Sequence, residues 1–133
     1  MEFVSAVCES NQEILGIAQR DPASLVENEF EISLKCLQEE LDEFIDAVDA
    51  QDYVGQIDAL VDLLYFGIGV LYKLGLTPEQ IHECCMAVHH ANMSKKRGTN
   101  AKRDTGAADA VKPEGWVPPE QLIQRIIMQR TTK

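Results

Sequence analysis

The run IDALVDLLYFGIGVLY, from Ile57 to Tyr72, carries only two charges, Asp58 and Asp62, one helical turn apart. Upstream, QEELDEFIDA adds Glu39, Glu40 and Glu43 on one side of a helix if successive residues turn by about 100°. An ionised carboxylate taken out of water costs several kcal/mol unless it is paired, hydrogen-bonded or bound to a metal. Glu43 precedes Asp62 by 19 residues, so a hairpin of two helices turning near Asp52 brings both acidic strips to the same height. Hard divalent cations, Mg²⁺ or Mn²⁺, answer such a convergence because they prefer oxygen ligands and bridge carboxylates to phosphates. Plainer roles stay open: a solvated acidic face for the glutamates, a helix cap for Asp58, and hydrogen bonds to Tyr or Lys.

Helical periodicity supplies the elements that hold these groups. Phe3, Val4, Val7, Ile14 and Ile17 predict a first helix from Glu2 to about Gln19, interrupted by RDPAS. A long amphipathic helix follows from about Ser24 to Ala50, its apolar stripe centred on Leu37, Leu41, Phe44 and Val48. The third, from about Asp52 to Leu74, is apolar nearly all round and is expected to be buried, with Gly75 as its stop signal and Gly67 and Gly69 permitting close approach. TPEQ announces a fourth helix with Thr77 as cap, Pro78 at the first position and Gln80 closing a capping box, running to about Lys95. Residues 97–119 read as a long loop, and 120–129 as a short terminal helix. No period-two alternation is evident, so the expectation is one all-α domain over residues 1–133, a bundle of four to five helices.

The net charge of −10 over 133 residues repels nucleic acid and anionic membranes at long range. Six of the 12 basic residues nevertheless fall between Lys95 and Lys112, a basic loop suited to a small polyanion rather than to a polynucleotide. Cys8, Cys36, Cys84 and Cys85 form no CxxC pair, and the N-terminus lacks the pattern of a secretory signal, so free thiols in a cytoplasmic protein are expected. Leu63 to Tyr72 gives only ten residues between charges, too short to span a bilayer, so no membrane association is expected. So apolar a third helix in so small a chain points to a homodimer or homotetramer.

QEELDEF followed by DALVDLLYFGIGVLYKLG resembles the all-α nucleoside triphosphate pyrophosphohydrolases of the MazG-like superfamily, whose metal motif is EExxE followed by ExxD on the next helix. Here Glu39, Glu40, Glu43 and Asp62 match, while Ala59 stands at the first acidic position of ExxD and Asp58 is the nearest acid. HHANMSK, from His89 to Lys95, and KPEGWVPP, from Lys112 to Pro119, extend the resemblance to phage-type members over roughly residues 30–120. The size and pattern are also similar to the MazZ subgroup, which converts (d)GTP to (d)GMP; a phage-encoded chain would act in the host cytoplasm.

The resemblance implies a metal-dependent conversion of (d)NTP and water to (d)NMP and pyrophosphate, with a preference for (d)GTP. Glu39, Glu40, Glu43, Asp58 and Asp62 would hold Mg²⁺ or Mn²⁺, and Glu39 or Glu40 would orient and deprotonate the attacking water. Asn92, Lys95, Lys96, Arg97 and Lys112 would contact sugar or phosphate, and Trp116 would stack on a base or anchor the tail. Related carboxylate bundles serve dUTPase-like and phosphoribosyl-ATP pyrophosphohydrolases, the alternative activities. The rival from another class is a non-catalytic helical protein that binds a metal or nucleotide. A di-iron bundle is disfavoured because only Glu79 to His82 fits ExxH, and zinc because Cys84, Cys85 and the histidines lack a ligand spacing.

Overall fold

A computed structural model describes residues 1–99 and 108–131. The fold class is all-α, as expected. The described elements are helices α1 (Glu2–Glu13), α2 (Glu27–Asp49), α3 (Tyr53–Lys73), α4 (Pro78–Met93) and α5 (Glu120–Thr131), with two short strands, β1 (Lys96–Gly98) and β2 (Asp109–Val111), between α4 and α5. The chain divides into two compact units, Met1–Ile81 and His82–Lys133.

The first unit is organised by the α2–α3 hairpin. Gln51 takes φ 55°, a left-handed conformation that reverses the chain, and the Asp52 N–H donates to the Ala47 carbonyl at 2.8 Å. Asp52 is the N-cap of α3, its Oδ1 accepting from the Gly55 N–H at 3.0 Å. The cap is therefore Asp52, and Asp58 lies inside the helix. Close approach near the turn relies on small residues, since a Cβ on Gly55 would sit 3.3 Å from that of Ala47.

This contact corrects the expected core of α2. Leu41 and Val48 of the apolar stripe are exposed, as are Leu34 and Ile45, while Leu37 and Phe44 are half-buried and Ser33 and Ala47 are the buried residues of the helix. Small side chains let α2 approach α3, and Leu34, Leu41, Ile45 and Val48 are left on the outside. Helix α3 is likewise not buried within one chain: Val54 is 74% and Leu64 62% exposed, and only 11% of its apolar window is buried. By length and composition α3 could cross a membrane, with a mean hydropathy of 1.6. Counting residues between charges understated it, although two aspartates within the span are costly in hydrocarbon.

Helix α1 ends at Glu13 rather than near Gln19, and Gly16 turns the chain at φ 68°. Val7 and Cys8 are buried, the Phe3 and Tyr65 rings meet edge to face at 6.1 Å, and Gly69 of α3 admits the Asn11 amide, 3.3 Å from where a Cβ would stand. Gly67 has nothing within 4 Å, so the expected close approach occurs at one glycine only. The segment 14–26 then caps the C-terminal end of α3. The Tyr72 hydroxyl donates to the Ile17 carbonyl at 2.7 Å, the Ala23 N–H to the Leu74 carbonyl at 3.0 Å, and the Arg20 Nε–H to the Lys73 carbonyl. Arg20 also pairs with Glu29 at 3.0 Å, which holds the Glu29 carboxyl below its usual range, and Glu29 accepts from the Val26 N–H at the start of α2.

The capping box of α4 forms as expected: the Gln80 N–H donates to Thr77 Oγ1 at 3.2 Å and the Thr77 N–H to Gln80 Oε1 at 3.0 Å. In the second unit the expected loop over 97–119 is partly structured. Lys96 to Gly98 pair antiparallel with Val111 to Asp109, short strands whose three-residue length hides any alternation. Lys102 and Arg103 lie outside the described residues.

Candidate metal centre

One carboxylate oxygen from each of Glu40, Glu43 and Asp62 lies within 4.8 Å of the others, and among the described residues this is the one group of three or more acidic, His or Cys side chains that could hold a metal ion. Glu40 and Glu43 sit three residues apart on α2, and Asp62 faces them from α3 because the turn at Gln51 sets the two helices in register. Glu39 is exposed and outside the trio, since the face of α2 turned to α3 runs through Ser33, Glu40, Glu43 and Ala47. Glu40 Oε2 is buried and receives no hydrogen bond. Burial first, then the Glu43 carboxyl, then the charges of Asp62 and Asp58 push the Glu40 carboxyl up to about 7.

A family model for phosphoribosyl-ATP pyrophosphohydrolase matches residues 2–92. The chain belongs to the phosphoribosyl-ATP pyrophosphohydrolase family. The match covers α1 to α3 and nearly all of α4, so the whole carboxylate cluster lies within it, and Lys95 to Trp116 lie beyond it. No curated protein matches the chain.

Membership fits the donor set. Three carboxylates with an orphaned buried oxygen among them make the chemistry that hard divalent cations complete, and Glu40, Glu43 and Asp62 are the residues that would hold such an ion. Asp58, one turn before Asp62 on α3, adds to the negative potential at Glu40. Zinc, whose usual sites are built on Cys and His, is a poorer fit to this all-carboxylate trio.

The raised Glu40 carboxyl has a consequence for pH. Its folded value near 7 lies above the usual 4.5, so between these values the folded form binds the extra proton. Metal-free stability is therefore expected to fall as pH rises from about 4.5 to about 7 and then to level off, by on the order of 1–2 kcal/mol after solvent screening. Thermal melts in chelator across that range measure it. Added Mg²⁺ should stabilise more at pH 8 than at pH 5, and equal stabilisation would contradict the assignment.

The second unit gathers the predicted phosphate and base ligands. Lys95 and Lys112 each place Nζ 5.1 Å from the Trp116 ring centroid, and the Trp116 Nε1–H donates to the Ala91 carbonyl of α4 at 2.8 Å. Lys95, Lys96 and Arg97 line an open 340 Å³ hollow with residues 108–110, and Asn92 is exposed in the last turn of α4. Missed in the sequence were the small-residue interface of α2 and the buried Ser33 and Asn11; the seven-residue spacing from Ser33 to Glu40 was the signal that placed Ser33 on the same face.

Proposed function

We propose that the chain is a metal-dependent nucleoside triphosphate pyrophosphohydrolase that converts (d)NTP and water to (d)NMP and pyrophosphate. The observation carrying this reading is the Glu40, Glu43 and Asp62 trio from two helices, with a buried Glu40 oxygen lacking any donor. Mg²⁺ or Mn²⁺, when bound, supplies Lewis acidity and neutralises polyphosphate charge. Glu40, Glu43 and Asp62 would hold the ion, with Asp58 adding negative potential. Glu39 or Glu40 orients a water and takes its proton; the water oxygen bonds to the α-phosphorus, the bond to the bridging oxygen breaks, and pyrophosphate leaves. Lys95, Lys96, Arg97 and Lys112 are phosphate ligands and Asn92 a sugar or phosphate contact. Two ammonium groups already engage the Trp116 ring, which favours an anchoring role for it over base stacking.

The proposed preference is (d)GTP, resting on the resemblance to the MazZ subgroup. Phosphoribosyl-ATP is the second reading, favoured by the family match over residues 2–92. A pyrophosphate-release panel of dNTPs, NTPs, dUTP and phosphoribosyl-ATP with Mg²⁺ or Mn²⁺ tests both. Ligand-induced stabilisation without turnover would instead point to a binding protein.

Assembly as a homodimer or homotetramer is proposed from the outer faces of α2 and α3, where Phe30 is 54%, Ile45 49% and Leu64 62% exposed. Light scattering after size exclusion should give a multiple of 14.8 kDa, and a clean monomer at micromolar concentration would sink this. Four free cysteines support a cytoplasmic location.

A further inference from the structure

A second feature of the first unit lies apart from the carboxylates. A partly enclosed cavity of about 220 Å³ is bounded by Asn11 of α1, Ser33 and Cys36 of α2, and Tyr65, Phe66 and Gly69 of α3. Its surface is predominantly apolar, yet Ser33, only 5% exposed, directs a buried hydroxyl with no hydrogen-bond partner into this region. A serine inside a helix ordinarily bonds back to the carbonyl four residues earlier. This one does not, so its burial carries a desolvation cost that no protein group offsets. Beside it, Asn11 is 4% exposed and commits one amide N–H to the Val7 carbonyl at 2.9 Å, leaving its oxygen side for another group.

The position of the cavity relates it to the carboxylates. Ser33 precedes Glu40 by seven residues and Gly69 follows Asp62 by seven, so on both helices the cavity lies two turns, about 10 Å, from the acidic trio and on the same face. A void of about 150 Å³ suffices for one benzene ring, so 220 Å³ accommodates a fused bicyclic ring and is too small for a whole nucleotide. We propose that this cavity receives the purine base of the nucleotide substrate, with the Ser33 hydroxyl and the Asn11 amide hydrogen-bonding its edge and Tyr65 and Phe66 supplying apolar wall. The proposal rests on the nucleotide-hydrolase reading and makes Ser33 a specificity-determining residue. A site built to hydrogen-bond its substrate discriminates strongly, because a wrong base leaves buried polar groups unpaired.

The test uses the full chain and separates binding from turnover. In chelating buffer, calorimetry with deoxyguanosine, deoxyadenosine, thymidine and deoxycytidine should show a purine binding at least about 10-fold more tightly than either pyrimidine. Ser33→Ala and the cavity-filling Cys36→Trp should each weaken that purine by about 10-fold. Ser33→Ala should also lower the purine-to-pyrimidine ratio of kcat/KM by a similar factor. Removing an orphaned hydroxyl should leave the melting temperature of Ser33→Ala unchanged or raised, which distinguishes lost recognition from lost folding. Equal affinity for purines and pyrimidines, or variants that leave purine binding unaltered, would overturn the proposal even if the wild type releases pyrophosphate. Selective purine binding that the variants abolish, in a chain without turnover, would uphold the pocket and sink the hydrolase reading.

Discussion

Glu43→Gln and Asp62→Asn are each expected to lower pyrophosphate release by about 10²-fold or more, since even the partners that orient a metal ligand are worth about 10- to 100-fold, without unfolding the protein. Both side chains have an oxygen within 4.8 Å of the other and of Glu40, and in metal-free protein the three repel one another. Neutralising one relieves that repulsion, so melting temperatures in chelator should be unchanged or higher than wild type. The stabilisation that Mg²⁺ or Mn²⁺ confers should disappear in the same variants, because a ligand stabilises only by binding the folded form. Lost turnover, retained folding and lost metal response together identify a metal ligand. Wild-type turnover in either variant would show that the trio is not the reaction centre.

Gly75→Ala should cost about 3 kcal/mol or more of folding stability. Gly75 has φ 92°, which side chains rarely adopt, and a Cβ there would collide with the Asp21 carbonyl and stand 2.7 Å from Pro22 Cα. Both neighbours are backbone, so no side-chain rotation removes the clash. Gly67→Ala is the contrast within the same region: it lies in helix, has nothing within 4 Å, and should be neutral or stabilising by about 0.5–1 kcal/mol. Chemical denaturation of the two variants measures the difference, and similar stabilities would contradict the close approach at Gly75.

The carboxylates were legible in the sequence because their chemistry and spacing act together: charge in an apolar run demands compensation, and symmetric distances about Asp52 set Glu43 opposite Asp62. The cap of α4 was legible because TPEQ is local, its hydrogen bonds spanning three residues. The core of α2 was not. Its strongest periodicity belongs to Leu41 and Val48, which face outward, while the packed face consists of Ser33 and Ala47, residues with little hydrophobic signal. Glu39 shows the same difficulty, since a motif of adjacent glutamates does not say which one the hairpin turns inward. The capping of α3 by Arg20 and Ala23 was invisible, because its partners lie some fifty residues away and neither end carries a periodic pattern.

That distant capping bears on the order in which the chain acquires its structure. The hairpin of α2 and α3 joins neighbours in sequence and closes a short loop, whereas Tyr72 must find Ile17 across 55 residues and Gln19 must find Leu76 across 57. During synthesis residues 14–26 leave the ribosome before the helix end that they cap exists, so these contacts cannot form until Leu76 has emerged. Contacts closed this late are expected to govern how long the folded molecule survives more than how quickly it forms, so Tyr72→Phe should speed unfolding more than it slows folding.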